Sequence, residues 1–206
     1  MTGSPPRQPA PTREDLAALE PMDRLGLSDI SVVSTQQQAD AAWKALAESK
    51  VLGFDTESKP TFTRDQVSAG PHIVQFSTLR QAFVFQLHDE ACRQVVSALL
   101  ESEHVAKVGF GLAGDHQQIL RTLGVRPNNV LDLNAVFKKQ GFPREIGVRG
   151  AVAVVFGKRF LKSRKATTSN WANRNLTESQ ILYAANDAWA AIRVFDALGL
   201  AAPQSA

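Results

Sequence analysis

Two acids, Asp55 and Glu57, stand two residues apart at the end of the apolar run VLGFDTE. A strand turns successive side chains to opposite faces, so both carboxylates share one side while Phe54 and Thr56 take the other. Carboxylates held side by side repel, and each raises the other's pKa. A divalent cation removes that penalty, which makes a strand-end Asp-x-Glu a place for a hard metal with oxygen ligands. The pattern is also common, and for this pair alone two solvated surface acids is the favoured reading. Tyr183 and Asp187 are four apart in a helical stretch, one turn apart on one face. An exposed pair or a helix hydrogen bond is their plain alternative. Asp115 opens a helix, where the dipole favours an acid with no further role.

The elements that must position these groups follow from periodicity. Residues 39–48 have helical spacing, and Val51–Glu57 reads as a strand. Residues 73–78 and 83–87 read as two further strands, close enough to form a meander. Residues 90–100 are helical, 105–108 a strand, and 115–123 a helix closed by Gly124. Residues 130–133 form a short strand, followed by a helical piece around Gly147–Phe156 and a long final helix. Thr177 with Gln180 three residues later is a capping box that starts this last helix. Strands first, then alternation, predict an α/β fold: a mixed sheet of about five strands flanked by helices. Residues 1–25, rich in Pro and polar residues, read as a mobile tail; 26–200 read as one domain and 201–206 as a short end.

Placed in chain order, the acids form a known pattern. FDTES, VGFGLAGDHQQIL and SNWANRNLTESQILYAANDAWA resemble the three exonuclease motifs of the DnaQ-like superfamily, and Tyr183 matches its DEDDy subgroup. The resemblance is nearest to ribonuclease D and the exonuclease domain of Werner syndrome helicase, with their small bacterial relatives. It covers residues 31–198, and the third motif is its most specific part. It implies a ribonuclease H-like sheet and a 3′→5′ exonuclease that releases nucleoside 5′-monophosphates. It also implies two divalent cations, Mg²⁺ or Mn²⁺, about 3.5–4 Å apart. Asp55 would bridge both, Glu57 and Asp187 would complete the first, and Asp115 would hold the second. Tyr183 would orient the attacking water. One departure is Gly111, where proofreading polymerases carry an Asn four residues before the second-motif Asp.

The expected partner is nucleic acid with a free 3′ end, DNA favoured over RNA, and no membrane. Ten basic residues between Lys138 and Arg174 face a single acid, Glu145. That stretch is either a solvated face or the footprint of a phosphate backbone. Thr56, Phe110, Lys158, Lys162, Arg164, Lys165 and Trp171 are the candidate contacts. Trp171 could stack on a base, although core packing is the favoured role. His116 is turned about 100° from Asp115 on the helix and reads as a surface residue.

Two readings compete. Gly109, Gly111 and Gly114 spell G-x-G-x-x-G, with Asp132 eighteen residues on, as in a dinucleotide site. Against it, Asp115 follows the last glycine, where a pyrophosphate would be repelled. A non-catalytic nucleic-acid-binding module on the same fold is the other, disfavoured because all four acids and the tyrosine are present. The composition is globular: 44% hydrophobic and 21% charged over 206 residues. No run spans a bilayer, the N-terminus lacks a secretory h-region, and lone Cys92 excludes an intrachain disulfide, so a cytoplasmic protein is expected.

Overall fold

Runs of β-branched and aromatic residues set the strands, and helices follow where apolar residues return every three or four positions. The computed structural model describes residues 6–61, 67–142 and 144–202, without the side chain of Arg164. Its elements in chain order are α1 (Arg13–Ala18), β1 (Ile30–Val33), α2 (Gln36–Leu46), β2 (Val51–Glu57), β3 (Ile73–Ser77), β4 (Ala82–Gln86) and α3 (Glu90–Glu101). They continue with β5 (Ala106–Gly109), α4 (Ala113–Leu123), β6 (Val130–Asp132), α5 (Leu133–Lys139), α6 (Gly147–Phe156), α7 (Arg164–Thr167) and α8 (Glu178–Ala197).

Among the described residues, six strands form one mixed sheet in the order β1-β4-β3-β2-β5-β6. β2, β3 and β4 are an antiparallel meander, and β1, β5 and β6 join it in parallel. The sixth strand, β1, adds to the five expected from sequence. It is only four residues long, and its partner β4 lies some fifty residues away. Short strands with distant partners leave little local signal.

Each face of the sheet is covered. On one side Phe54, Phe76 and Phe85 stand on adjacent strands, with ring centroids 5.5 and 6.0 Å apart. Leu46 of α2, Val96 and Leu99 of α3 and Ile119 of α4 close over them. On the other side α8 crosses β2, β3, β4 and β5. It approaches closely because its inward positions are small: Ala184, Ala188 and Ala191 are all buried. The capping box forms as the sequence indicates, with Gln180 N donating to Thr177 Oγ1 and Thr177 N to Gln180 Oε1. Gln180 Nε2 also donates to Ser169 Oγ at 3.0 Å, tying the Ser169-Asn170-Trp171 turn to the helix start.

Residues 12–25, ahead of β1, are folded where composition suggests mobility. Thr12 caps α1 in a box with Asp15, and Leu25 is buried against the main core. Apolar residues at 16, 19, 22 and 25 are the reason, a spacing diluted by prolines and charges.

Lys107 is fully buried in β5, and its Nζ donates to Ser102 O at 2.8 Å, at the negative end of α3. Burial pushes its pKa down to about 8. Between pH 8 and 10.5 the unfolded chain therefore holds a proton that the folded chain has released, and stability rises with pH across that window. Denaturant unfolding at both ends should show a gain of about 2 kcal/mol, absent in Lys107→Met. An equal gain in the variant would assign the effect elsewhere.

Candidate active site

Asp55 and Glu57 end β2 on the face that meets α8, the face Gly53 also occupies. A Cβ on Gly53 would lie 2.0 Å from the Ala188 carbonyl oxygen and 3.1 Å from Ile192 Cβ. Glycine thus lets helix and strand touch, and Asp187, one residue before Ala188, reaches the strand end. Ligand oxygens of Asp55, Glu57 and Asp187 all lie within 4.8 Å of one another. A mid-strand Gly marks such an approach, so this signal was present in VLGFDTE though its partner was not.

Thr56 points to the opposite face, where its Oγ1 donates to Asp115 Oδ1 at 2.5 Å. Asp115 therefore comes to the end of β2 from α4, across the strand from Asp187. It lies outside the three-acid cluster, yet its charge raises both Asp55 and Glu57. Thr56, a candidate strand contact by sequence, is placed as the holder of Asp115.

Every one of these acids is pushed upward. Burial, then the Asp187 charge, holds Asp55 well above the carboxylate range. Burial and Asp55 carry Glu57 to about 9. Burial raises Asp115 and Asp187 too, although for Asp187 the Lys162 ammonium opposes it. Lys162 Nζ is 2.8 Å from Asp187 Oδ2 and 5.0 Å from the Tyr183 ring centroid. Burial lowers the Lys162 pKa, but Asp187 and Tyr183 outweigh it and the ammonium is retained. The Tyr183 hydroxyl accepts from Thr167 Oγ1 at 3.1 Å and is pushed up to about 12, chiefly by burial. An all-oxygen cluster with raised pKa values fits a hard divalent cation, which stabilises the ionised carboxylates.

Asp55, Lys162 and Asp187 line a cavity of about 310 Å³ with Phe110, Ile146 and Val148. A neighbouring cavity of about 580 Å³ shares Ile146, Val148 and Lys162 and adds Arg149, Thr167 and Tyr183. Phe110 is half-buried, 6.4 Å from Phe137 between ring centroids, and still borders the first cavity. Trp171 takes the core role that the sequence favoured, and the stacking alternative falls: the indole is 1% exposed, packed against Tyr183, and offers no face to a base. Lys158 and Lys165 are exposed and outside both cavities; the Arg164 side chain lies outside the described residues. Ile146 and Val148 carry no motif, and Arg149 stands out in the sequence only as one of the basic stretch; all three reach the site at the start of α6.

Two of the three glycines of the dinucleotide-like pattern have structural duties, while Gly114 has open space around it. A Cβ on Gly109 would meet Phe54 O at 2.4 Å, and Gly111 has φ +73°. Asp132 caps α5 through Asn134 N and accepts from Leu112 N at 3.1 Å, which braces the same loop. His116 is exposed.

Residues 30–201 match the family model for 3′-5′ exonuclease. The chain belongs to this exonuclease family. It is 29% identical over 177 residues to the bifunctional 3′-5′ exonuclease/ATP-dependent helicase WRN of Mus musculus; this covers 82% of the chain but 13% of that relative. Two solved structures share its fold. The Aedes aegypti Nibbler EXO domain superposes with a TM-score of 0.72 at 21% identity, over 85% of this chain and 89% of that one. Trypanosoma brucei RNase D complexed with RNA U12 superposes with a TM-score of 0.73 at 21% identity, over 82% and 62%. No helix among the described residues is long and apolar enough to cross a membrane.

Proposed function

We propose that this exonuclease shortens nucleic acid from its 3′ end, DNA in preference to RNA, and releases nucleoside 5′-monophosphates. The observation that carries this is the convergence of Asp55, Glu57 and Asp187 at the contact of β2 with α8, within the stretch that matches the family. Asp55, Glu57 and Asp187, with Asp115, would hold two divalent ions, Mg²⁺ or Mn²⁺. When bound, such ions stabilise charge on the phosphate oxygens and lower the pKa of water.

The protein's own groups do the rest. With its pKa at about 12, the Tyr183 hydroxyl keeps its proton at neutral pH. It therefore orients the attacking water by hydrogen bonding and does not act as the base. Thr56 holds Asp115 in place through its hydroxyl. Lys162 and Arg149 border the larger cavity and suit a phosphate there; Lys158 and Lys165, with Arg164, would meet the backbone farther along. Those contacts are sequence-independent and weaken with salt. Phe110, beside the smaller cavity, would rest against the terminal base. The preference for DNA follows from the motif resemblance to the exonuclease domain of Werner syndrome helicase.

Single strands and recessed duplexes of DNA and RNA, labelled at the 5′ or 3′ end, test this with Mg²⁺, Mn²⁺ or chelator. The expected result is a metal-dependent ladder that shortens from the 3′ end, faster on DNA. In Tyr183→Phe, kcat should fall about 100-fold with KM nearly unchanged, the size of one lost transition-state contact. Faster decay of RNA would reverse the preference. Binding without cleavage would make the chain an adaptor.

A further inference from the structure

The segment ahead of β1 is bonded to both neighbours of the acid cluster. Residues 20–22 run beside Arg159 as a parallel bridge: Arg159 N donates to Glu20 O at 2.8 Å, and Met22 N donates to Arg159 O at 3.0 Å. Arg159 Nη1 donates to Ala17 O at 2.9 Å, so its guanidinium closes the end of α1. Three residues farther along the chain is Lys162, whose ammonium meets Asp187. The second anchor is at α8. Leu25 N donates to Asn186 Oδ1 at 2.8 Å, and Asn186 Nδ2 donates to Leu25 O at 3.3 Å. Asn186 is buried and immediately precedes Asp187.

Residues 157–163, between α6 and α7, form no helix, and among the described residues their one strand-like contact is the bridge to Pro21. A loop without its own hydrogen-bond ladder takes its conformation from whatever satisfies its backbone groups; here these are the segment 20–22 at Arg159 and the Arg149 guanidinium, whose Nη2 donates to Lys162 O at 3.3 Å. Met22 and Arg24 line a cavity of about 330 Å³ together with Leu182 and Tyr183. The family match begins at residue 30, so this segment lies outside it.

We infer that residues 17–25 are a strap that positions the Lys162 loop through Ala17, Met22 and Arg159, and α8 at Asp187 through Asn186. Met22, Arg159 and Asn186 are positioning residues: each acts through a neighbour. The inference rests on the reading of Lys162 and Asp187 as parts of the exonuclease site.

Full-length variants test it. Met22→Pro removes the N–H that Arg159 accepts; Arg159→Ala, a milder change, removes the tie to Ala17. Either should raise KM or lower kcat on labelled DNA, about 10-fold for Met22→Pro, since displacements below 1 Å already matter at a reacting centre. In a Lys162→Ala background the same change should cost little more, because the strap acts on that loop through Lys162. Hydrogen exchange at 159–163 should quicken in Met22→Pro while β2 and β3 stay protected. Asn186→Leu, which cuts the second anchor, should lower kcat in either background. Losses for Met22→Pro that multiply with those of Lys162→Ala would reduce the strap to general stability and overturn the inference. So would unchanged exchange at 159–163. If Met22→Pro does not fold, Arg159→Ala carries the same comparison. An inactive parent chain would sink the exonuclease reading, and exchange at 159–163 would still decide whether the strap holds the loop.

Discussion

Asp55→Asn should abolish turnover, by about 10³-fold or more, and should make the metal-free protein more stable. The two effects have one cause. Asp55 faces Asp187 and Glu57 in a partly buried cluster whose charges disfavour one another. Asparagine keeps the shape, and its Oδ1 can keep the bond from Thr56 N at 2.9 Å, but it removes the charge. The loss of rate follows because electrostatic stabilisation of the transferring phosphate depends on that charge, and single contacts of this kind are worth about 10²–10³. Relief of repulsion worth about 1 kcal/mol would lift Tm by roughly 2–4 °C in a chain of this size. The pH dependence has a defined sign. Glu57, raised from 4.5 to about 9, binds a proton in the folded chain that the unfolded chain has lost, so metal-free stability falls as pH rises through that window. Mg²⁺ or Mn²⁺ should raise Tm of the parent chain by mass action and shift the variant less. Calorimetric scans with chelator and with metal, at pH 6 and 8.5, read all of this. An Asp55→Asn protein that is less stable in chelator and still shifts fully with metal would contradict the account.

Gly53→Ala should be nearly as damaging, at a residue that touches no substrate. The added Cβ would fall 2.0 Å from a backbone oxygen of α8, and backbone cannot step aside as a side chain can. The helix would have to retreat by about 1 Å or more. Overpacking of this kind costs about 1–3 kcal/mol. The retreat also moves Asp187 away from Asp55 and Glu57, and a displacement of about 1 Å in catalytic geometry costs about 10²-fold in rate. The expected protein folds, melts several degrees lower and turns over about 100-fold more slowly, with metal binding weakened. Steady-state kinetics and metal titration by calorimetry check this. A Gly53→Ala chain with parental kcat would mean that the contact of β2 with α8 does not set the site.

The strand-end acids were legible because alternation alone puts residues 55 and 57 on one face, and Gly53 on the same face. The helix start at Thr177 was legible because a capping box is a local pattern, and the structure forms it. What could not be read were pairings between distant segments. Lys162 meets Asp187 across a loop and a helix, and Asn186 meets Leu25 across 161 positions. Neither contact has periodicity to announce it. Residues 13–25 were obscured in another way: prolines and charges dominate their composition, although the few apolar residues are spaced to bury. Trp171 shows the limit of residue type, since an indole near a motif favours a core but can also serve a base until its exposure is known.

The most direct test of the site is a crystal structure of the protein with Mn²⁺ and a nucleoside 5′-monophosphate, with diffraction recorded for the metal's anomalous signal. Two anomalous peaks are expected beside the phosphate, about 2.1 Å from oxygens of Asp55, Glu57 and Asp187, the second on the side of Asp115. A phosphate bound by Lys162 and Arg149 with no metal peak among those carboxylates, in protein that still degrades DNA, would contradict that expectation.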